Sequence, residues 1–402
     1  MDSTPAETPR MLPHTWDEAR ALAYALPEAL PAHPVPLAEA MGRILLGDLQ
    51  ALNPMPHYAS SAMDGWAVAG SPPWIFAQEG RRLVAGQAIP IVTGGLIPAG
   101  AKAVLRSESG QVKNDDDGLP VLVLGSESRP GEPKNGQHIR PVAQEAALAE
   151  VLIKSGTTLN PAHISLAALG GSDELHVLGK PMVKLVLTGD EVIASGIPEP
   201  GAVRDAFSPL LPAVVTLLGG QVVGLERAND TLESVLAALE ESPDNPADVL
   251  ITTGATGNSS ADFLRRAIAA MGGTIHINSI AMRPGHPTLL AELPDGRFLV
   301  GLPGNPLAAM VALLSVAAPL LAKLGSAPMP GTFEVPCGTP IKEFQGPTRL
   351  MPYRLVYGLA SPCAHTDSAM MRGLAAADGI MVVPPHGAKM GETLTAFALP
   401  WK

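Results

Sequence analysis

The sequence predicts a multidomain α/β protein with a central doubly wound α/β domain, additional β-rich domains and a small helical linker domain. The chain has 402 residues, more than one core usually holds, because single cores stop growing at about 250–300 residues. In its second half, apolar runs that end in glycine alternate with helical patterns, which is typical of a parallel sheet. On either side of this region, short apolar runs alternate with Gly, Pro and Asp clusters, which predicts β-rich domains.

The composition and charge argue against several classes of protein. Hydrophobic residues make up 46% of the chain and charged residues 16%, with a net charge of −11. An acidic chain without clustered Lys and Arg is a poor nucleic-acid binder. The two cysteines, Cys337 and Cys363, show no zinc-binding spacing and predict no disulfide framework. We expect no signal peptide, because the N-terminus lacks a basic start followed by an apolar run. We also expect no membrane span, because the apolar stretch Leu307–Ala322 is short and contains Pro319. The predicted location is cytoplasmic.

The first 180 residues predict two domains. Residues 14–47 read as helices, and Thr15 with Glu18 three positions later forms a capping-box pattern. Residues 48–140 form a β-rich inserted domain. Residues 141–180 return to a short helical segment and join residues 14–47 in the helical linker domain.

Residues 181–326 carry the α/β pattern, and residues 327–402 predict a C-terminal β-domain. The strand-like runs are VKLVLTG (183–189), QVVGLE (221–226), DVLITTG (248–254) and FLVGLPG (298–304). Helical patterns lie near 207–219, 231–241, 261–272 and 306–323. Because ligands bind at the carboxyl ends of the strands in such sheets, the loops after the three glycine-ended runs are predicted to surround one site.

The first of these loops is Thr188-Gly189-Asp190-Glu191. Glycine lets the backbone approach a ligand closely, and nearby N–H groups can hold phosphate oxygens. Carboxylates beside a phosphate require a cation between them, and Mg²⁺ is usually held by one or two carboxylates together with the phosphates. A solvated turn with surface acids is the alternative interpretation.

The second loop, TTGATGNSSAD, is small and rich in hydroxyl groups. It contains Thr253 and Gly254 and leads into a helix that Ser259 or Ser260 can cap. Helix N-termini attract anions, which predicts a phosphate site. Asp262 falls in the first turn, where an acid also stabilises a helix without any ligand.

The third loop is Leu302-Pro303-Gly304-Asn305-Pro306. Asn305 suits a helix cap, and Pro306 suits the first helical turn. The loop is predicted either to clamp the ligand with its backbone or simply to begin a helix.

Two further stretches carry polar residues in turns. Arg283 and His286 lie in the stiff turn RPGHP, where two cations can meet an oxyanion, although a surface turn is the commoner meaning. Asp64 lies in SSAMDGWAV, and an Asp-Gly pair is ordinarily a turn.

In this order and spacing, the five stretches resemble the molybdopterin molybdenumtransferase family, which includes the C-terminal part of gephyrin. SSAMDGWAV is similar to the family's S-A-M-D-G-Y-A, and VLTGDEV and VGLPGNPLAAMVALL match well. RPGHP is similar to a P-G-K-P segment. Thr93 to Ala101, with Glu108, is similar to T-G-x-x-x-P-x-G-A-D, with Lys102 in place of the family's Asp. The opening helices and the tail SAMMRGLAAADGIMVVPP extend the resemblance over nearly the whole chain.

The resemblance implies a reaction and an assembly. The reaction belongs to molybdenum cofactor biosynthesis: molybdate is inserted into adenylylated molybdopterin (molybdopterin-AMP), with Mg²⁺-dependent release of AMP. The assembly is a homodimer of four-domain subunits, and other enzymes of the pathway are further partners. The active site lies between the molybdopterin-binding α/β domain of one subunit and the β-rich domain of the other.

The resemblance also implies roles for individual residues. The catalytic acids are Asp64, Glu145, Glu191, Asp205 and Asp262, of which Glu191 and Asp205 hold the metal. The substrate-binding residues are Thr188, Gly189, Asp190, Thr253, Gly254, Ser259, Arg283, His286, Pro303, Gly304 and Asn305.

Several departures mark a divergent member. Glu145 replaces Asp, Phe207 stands where the family has Asn, and ATGNSS replaces a Gly-Val-Ser-x-Gly loop. Arg283 and His286 stand where lysines are usual, and arginine is not equivalent to lysine.

Two alternatives stay open at this point. The altered loop and the missing Asn favour a catalytically inactive molybdopterin-binding carrier or scaffold, which binds ligand without releasing AMP. A molybdopterin adenylyltransferase is the other alternative, and the extra β-domains and the SAMDG segment argue against it. The sequence does not distinguish molybdate from tungstate as the preferred oxyanion.

Overall fold

The structure is a computed structural model that describes residues 12–241, 243–254 and 261–402, with the backbone alone at 261 and 262. The chain divides into two compact units. One unit is Ala32–Val177, and the other combines the chain up to Pro31 with Leu178–Lys402.

The helices and strands are numbered in chain order. The helices are α1 (Trp16–Ala25), α2 (Pro161–Leu169), α3 (Phe207–Leu217), α4 (Leu232–Leu239), α5 (Ala261–Ala270), α6 (Pro306–Ala312), α7 (Ala318–Leu324) and α8 (Arg372–Ala375). The strands of the first unit are β1 (His33–Pro36), β2 (Leu49–Gln50), β3 (Ser60–Ser61), β4 (Gly65–Ala69), β5 (Trp74–Phe76), β6 (Gln87–Ile91), β7 (Ala103–Arg106), β8 (Gly110–Asn114), β9 (Pro120–Leu124), β10 (Ile139–Arg140), β11 (Val151–Ile153) and β12 (Glu174–Val177). Those of the second are β13 (Met182–Thr188), β14 (Val192–Ile193), β15 (Val203–Arg204), β16 (Gln221–Ala228), β17 (Val249–Thr253), β18 (Thr274–Ile277), β19 (Met282–Arg283), β20 (Leu289–Glu292), β21 (Phe298–Leu302), β22 (Phe333–Pro336), β23 (Thr348–Val356), β24 (Leu359–Pro362), β25 (Gly379–Val383) and β26 (Thr393–Ala398).

The unit Ala32–Val177 is mostly β-structure. Its main sheet has six strands in the order β7-β4-β6-β5-β9-β8. Trp74, Leu105 and Leu122 are fully buried in its core. This sheet confirms the β-rich character predicted for residues 48–140.

The other unit contains the predicted α/β sheet. Its strand order is β16-β13-β17-β21-β20-β18, and the first four of these strands run parallel. The five residues of β17 and of β21 are all buried, as expected of parallel strands covered on both faces. The four strand-like runs of the sequence therefore correspond to four neighbouring strands.

Helices cover both faces of this sheet, which confirms the doubly wound α/β fold. On one face, α1, α3, α6 and α7 share a core with alternate strand residues such as Leu185 and Ile251. On the other face, α4 and α5 pack against Val186, Leu250 and Leu299. This alternation arises because successive side chains of a strand point to opposite faces.

A second sheet gathers the strands of the C-terminal part of the chain, where the sequence predicts β-structure. Its order is β19-β23-β25-β26-β22, with β24 paired to β23. The edge strand β19, from the RPGHP region, lies parallel to β23, with Arg283 opposite Arg349.

The expectation that residues 14–47 are helical was wrong beyond the first helix. The capping box is present: the Glu18 N–H donates to Thr15 Oγ1 and the Thr15 N–H donates to Glu18 Oε2. Helix α1 ends at Ala25, and β1 pairs with β12. Prolines explain the difference, because Pro27, Pro31, Pro34 and Pro36 interrupt this segment and proline disrupts a helix interior.

Helix α1 packs on the α/β sheet. Trp16 is buried in the core with Leu185, and its indole N–H donates to Ser315 Oγ at 2.9 Å. The division into four domains, with α1 in the linker domain, stays a prediction.

The apolar stretch from Pro306 to Leu324 is continuous, since a π-helical turn (Leu313–Ala317) joins α6 to α7. It is long and apolar enough to cross a membrane, but 94% of it is buried inside the chain. This burial is typical of the core helix of a soluble protein, as the sequence predicts.

Candidate active site

A cavity of about 520 Å³ lies at the carboxyl end of the parallel strands. Its lining joins the three predicted loops with the segment that leads into α3. The lining residues are Leu187, Thr188, Gly189, Glu191, Val192, Val203, Arg204, Asp205, Ala206, Phe207, Arg227, Asp230, Thr253, Gly254, Gly304, Asn305, Pro306 and Ala369. The prediction that the glycine-ended strands deliver their loops to one place is therefore confirmed.

The first loop turns sharply at Gly189, whose φ of 121° is unfavourable for other residues. A Cβ atom there would lie 2.9 Å from Val192 Cγ2 and 3.1 Å from Glu191 Oε2. Glu191 is exposed, and its carboxylate has no hydrogen-bond partner among the described residues. The turn thus leaves one carboxylate uncommitted at the cavity.

The second and third loops approach each other through glycine. A Cβ atom on Gly254 would lie 2.6 Å from Thr188 Oγ1, and one on Gly304 would lie 3.6 Å from the Cα of Gly254. The Thr188 hydroxyl donates to the carbonyl of Thr253 at 2.8 Å. The loops can come this close only with glycine at position 254, because a side chain there would collide with the Thr188 hydroxyl.

Thr253 lines the cavity and has a buried hydroxyl. The residue is 1% exposed, and its Oγ1 has no hydrogen-bond partner among the described residues. A buried hydroxyl without a partner costs about 1–3 kcal/mol in proteins. The free hydroxyl is therefore a candidate to bind a ligand.

Asp205, a predicted metal ligand, is already well bonded. Its Oδ1 accepts the N–H groups of Phe207 at 2.9 Å and Ser208 at 3.1 Å, and its Oδ2 pairs with Arg227 Nη2. Burial raises the pKa of Asp205, but the hydrogen bonds from Ser208 and Phe207 and the charge of Arg227 outweigh burial and hold the pKa below its ordinary value. Asp205 thus lines the cavity as a carboxylate neutralised by the chain itself.

The third loop behaves only partly as predicted. Asn305 stands at the N-cap of α6 and Pro306 in its first turn, but the Asn305 side chain makes no capping bond. Its amide donates instead to Ser368 Oγ at 3.1 Å. The C-terminal part of the chain therefore reaches the site, where the neighbouring Ala369 lines the cavity.

Asp190 and Pro303, which belong to the predicted loops, lie outside the lining. Asp190 is exposed, and its backbone and carboxylate exchange long hydrogen bonds of 3.4 and 3.3 Å with those of Asp230. Pro303 is buried behind the loop. Their roles toward a substrate stay predictions.

Sequence reasoning missed Asp230, Arg227 and Arg204. Arg227 lies near the end of β16, and Asp230 follows this strand. The carboxyl end of β16 lies beside β13 at the edge of the sheet. The three loops predicted to surround the site all follow runs that end in glycine, whereas β16 ends at Ala228. The carboxyl end of each parallel strand, glycine or not, was the available signal.

The RPGHP turn packs beside α6. A Cβ atom on Gly285 would lie 3.4 Å from the carbonyl oxygen of Ala308. The Nδ1–H of His286 donates to the Ile280 carbonyl at 2.7 Å. Arg283 and His286 are both exposed and lie outside the cavity lining, so their role as oxyanion ligands stays a prediction.

Asp64 and Glu145 belong to the unit Ala32–Val177. Asp64 Oδ1 accepts the Thr93 N–H at 2.6 Å, and this bond lowers the pKa of the carboxyl. Glu145 is exposed, and its main-chain N–H donates to Met55. Their contribution to the cavity of another subunit stays a prediction.

The remaining predicted residues are Ser259 and the Asp262 side chain, which lie outside the described part of the chain. Within that part, no group of three or more His, Cys, Asp or Glu side chains is arranged to hold a metal ion. Mg²⁺ commonly takes only one or two carboxylates together with phosphate oxygens. The uncommitted Glu191 fits such an ion, whereas Asp205 would fit one only if Arg227 released it.

Comparison with protein families covers both halves of the chain. Residues 14–171 match the MoeA N-terminal region (domain I and II). Residues 184–323 match a family described as a probable molybdopterin binding domain, which contains most of the cavity lining.

Three relatives with similar sequences are all molybdopterin molybdenumtransferases. A molybdopterin molybdenumtransferase of a Nostoc species is 30% identical over 315 residues, which cover 72% of this chain and 69% of the relative. The enzyme of Synechococcus elongatus is 32% identical over 308 residues, 71% of this chain and 74% of the relative. Molybdopterin molybdenumtransferase 2 of Mycobacterium tuberculosis is 28% identical over 383 residues, 87% of this chain and 90% of the relative.

Among solved structures, the molybdopterin biosynthesis MoeA protein of Pyrococcus horikoshii has the same fold. It aligns with a TM-score of 0.69 and 23% identity, covering 96% of this chain and 99% of that one.

Proposed function

This chain belongs to the molybdopterin molybdenumtransferase family, and we propose that it inserts molybdate into adenylylated molybdopterin with Mg²⁺-dependent release of AMP. As a member of this family it is a transferase of molybdenum cofactor biosynthesis. One observation carries the proposal. Three glycine-bearing loops enclose a cavity that is lined by Thr253 and Glu191, whose buried hydroxyl and exposed carboxylate have no hydrogen-bond partner among the described residues.

The loops would bind the pterin and the phosphates. Gly254 and Gly304 bring the backbone close to any occupant of the cavity, and the Thr253 hydroxyl would donate to a phosphate or pterin oxygen. A partner for this hydroxyl removes the cost of its burial. Thr188, Gly189 and Asn305 complete the enclosure.

Mg²⁺ is the proposed ion because phosphates beside Glu191 need a cation between them. When bound, Mg²⁺ would neutralise the negative charge of the phosphates. We propose Glu191 as its protein ligand. Asp205, the other predicted ligand, pairs with Arg227 and would reach the ion only if Arg227 released it.

The active assembly is proposed to be a cytoplasmic homodimer, with other enzymes of the pathway as further partners. Asp64 and Glu145 of one subunit would orient water or molybdate at the cavity of the other, and Asp262 would act beside the glycine loop. Arg283 and His286 would attract molybdate or the terminal phosphate from the turn next to α6.

One observation favours a second candidate function, a molybdopterin-binding carrier without catalysis. Phe207, which stands where an Asn is usual in the family, lines the cavity, so the site lacks a polar group there. A carrier would bind the substrate without cleaving it.

AMP release distinguishes the two functions. The purified chain is given adenylylated molybdopterin and Mg²⁺, with and without molybdate, and both AMP and protein-bound molybdenum are measured. Molybdate-stimulated AMP release with molybdenum in the product supports the transferase. Tight substrate binding without AMP release supports the carrier and contradicts the transferase.

A further inference from the structure

We infer that Arg227 binds a phosphate group of the substrate and that Asp205, buried behind it, is the residue that positions Arg227. The inference rests on the proposed function, because it assigns a ligand to the cavity described above. It concerns a residue that the sequence analysis did not single out.

The anchor of Arg227 is rigid. The Asp205 side chain is 5% exposed and is fixed by the N–H groups of Phe207 and Ser208 at the start of α3. Arg227 Nη2 pairs with Asp205 Oδ2 and also lies 3.3 Å from Ser208 Oγ. Both anchoring contacts therefore use the same nitrogen of the guanidinium.

The remaining donors of Arg227 are free to bind a ligand. Its Nε and Nη1 groups have no hydrogen-bond partner among the described residues, and its side chain is 36% exposed where it lines the cavity. A guanidinium carries five N–H donors in a planar fork that matches two oxygens of a phosphate. Anchoring one end leaves the other end to make this two-point contact.

The charges at the cavity favour the same assignment. Glu191, Asp205 and Asp230 place three carboxylates around the cavity, against the guanidinium groups of Arg204 and Arg227. Arg204 is 3.5 Å from the carbonyl oxygen of Ile193. Arg227 is the cation that pairs with the buried Asp205 carboxylate, so its loss would leave that carboxylate to repel a phosphate.

Phe207 indicates what the phosphate is attached to. It begins α3 next to Ser208 and lines the same cavity. An aromatic side chain beside a phosphate-binding cation suits a phosphate that carries a planar heterocycle, since rings pack favourably against aromatic faces. AMP is therefore the simplest probe, because it combines a heterocycle with one phosphate.

The test is calorimetric binding of AMP, adenosine and inorganic pyrophosphate to the full chain in EDTA, which removes any contribution of Mg²⁺. For Arg227→Met we expect AMP and pyrophosphate to bind about 10- to 100-fold more weakly, because a charge-assisted hydrogen-bonded contact is lost. Adenosine should bind as it does to the unchanged chain. Arg227→Lys should fall between the two, since lysine keeps the charge and loses the fork.

Two further variants separate binding from structure. Lys184→Met removes the Lys184–Glu226 ion pair of 2.9 Å, which joins the same two strands outside the cavity lining, and should leave all three affinities unchanged. Asp205→Asn keeps acceptors for the two N–H groups but loosens the anchor, so it should weaken AMP binding less than Arg227→Met does. Melting temperatures show whether each variant is folded.

Equal AMP affinity in Arg227→Met and the unchanged chain would overturn the inference, and so would an equal loss of adenosine binding. An unchanged chain that binds none of the phosphate probes would overturn it as well. The proposed function is judged separately by molybdate-stimulated AMP release, so the two ideas can fail independently.

Discussion

The two ends of the central sheet differ in how many of their polar side chains have hydrogen-bond partners among the described residues. At the carboxyl end, Thr253 and Glu191 have no side-chain hydrogen-bond partner among the described residues. At the amino end, Asp248 accepts the Met182 N–H at 2.7 Å, and Arg297 binds both Asp295 and the carbonyl of Leu239. The amino end is satisfied by the chain itself, whereas the carboxyl end retains bonding capacity for a ligand.

The pKa values of two aspartates, one at each end of the sheet, are shifted in opposite directions. The pKa of Asp205 at the cavity is lowered, since hydrogen bonds and Arg227 outweigh the effect of burial. The pKa of Asp248 at the opposite end is raised, because burial outweighs its hydrogen bonds. Asp205 is therefore held as an anion beside a cation, while Asp248 has no cation to offset its burial.

The largest expected effect is on activity at the carboxyl end. Glu191→Gln should reduce molybdate-stimulated AMP release about 100-fold, because a carboxylate that holds a metal ion contributes several kcal/mol to the reaction. Its melting temperature should stay close to that of the unchanged chain, since the carboxylate has no partner to lose. Glu226→Gln, outside the cavity lining, is the matched control. Full activity in Glu191→Gln would remove Glu191 from the mechanism.

The next effect is on stability at the amino end. Asp248→Ala should lower the free energy of unfolding by about 1–2 kcal/mol, because the Met182 N–H loses a charged acceptor. Urea unfolding measures the loss, and activity per folded molecule should be unchanged. Asp248→Asn keeps an acceptor and should retain stability at neutral pH. A loss of activity in the folded Asp248→Asn variant would contradict the view that this end is purely structural.

At Thr253 we expect a smaller effect with the opposite distribution: substrate affinity should fall while stability is kept. Thr253→Val removes an unpaired buried hydroxyl, so the free energy of unfolding should stay the same or rise by about 1 kcal/mol. Its affinity for adenylylated molybdopterin should fall about 5- to 10-fold, the equivalent of one hydrogen bond. Thr253→Ser keeps the hydroxyl and should keep the affinity. If the Val variant is destabilised and binds normally, the hydroxyl has a structural role instead.

The smallest effect is the dependence of stability on pH. The lowered pKa of Asp205 adds stability above the unfolded value of about 3.8, and this stability is lost as pH falls through the folded pKa. The raised pKa of Asp248 has the opposite sign: its contribution is complete below about 3.8 and is lost as pH rises through the folded pKa.

Unfolding at a series of pH values tests these signs. The destabilisation caused by Asp205→Asn should grow from acidic to neutral pH. Over the same range, Asp248→Asn should gain stability relative to the unchanged chain. Parallel pH profiles for the two variants would show that the ends of the sheet do not differ in this way.

Local patterns were sufficient to predict the strands of the α/β sheet and the place of its ligand cavity. Buried parallel strands have continuous apolar runs, and Gly189, Gly254 and Gly304 mark where three of them end. The order of the motifs also resembled one family, which the comparisons support. These features depend on residues that are close in sequence, so they can be read without a structure.

Contacts between distant segments decided the rest. The pairing of β16 beside β13 brings Arg227 and Asp230 to the cavity, although neither follows a glycine-ended strand. The bond between Asn305 and Ser368, 63 positions apart, brings the C-terminal part of the chain to the site. Arg227 binds Asp205 across 22 positions, which converts a predicted metal ligand into a neutralised anchor. The sequence alone determined which edge of the sheet carries the site, because strand ends are local; only the tertiary structure decided which charges meet there, because partners in space are not neighbours in the chain.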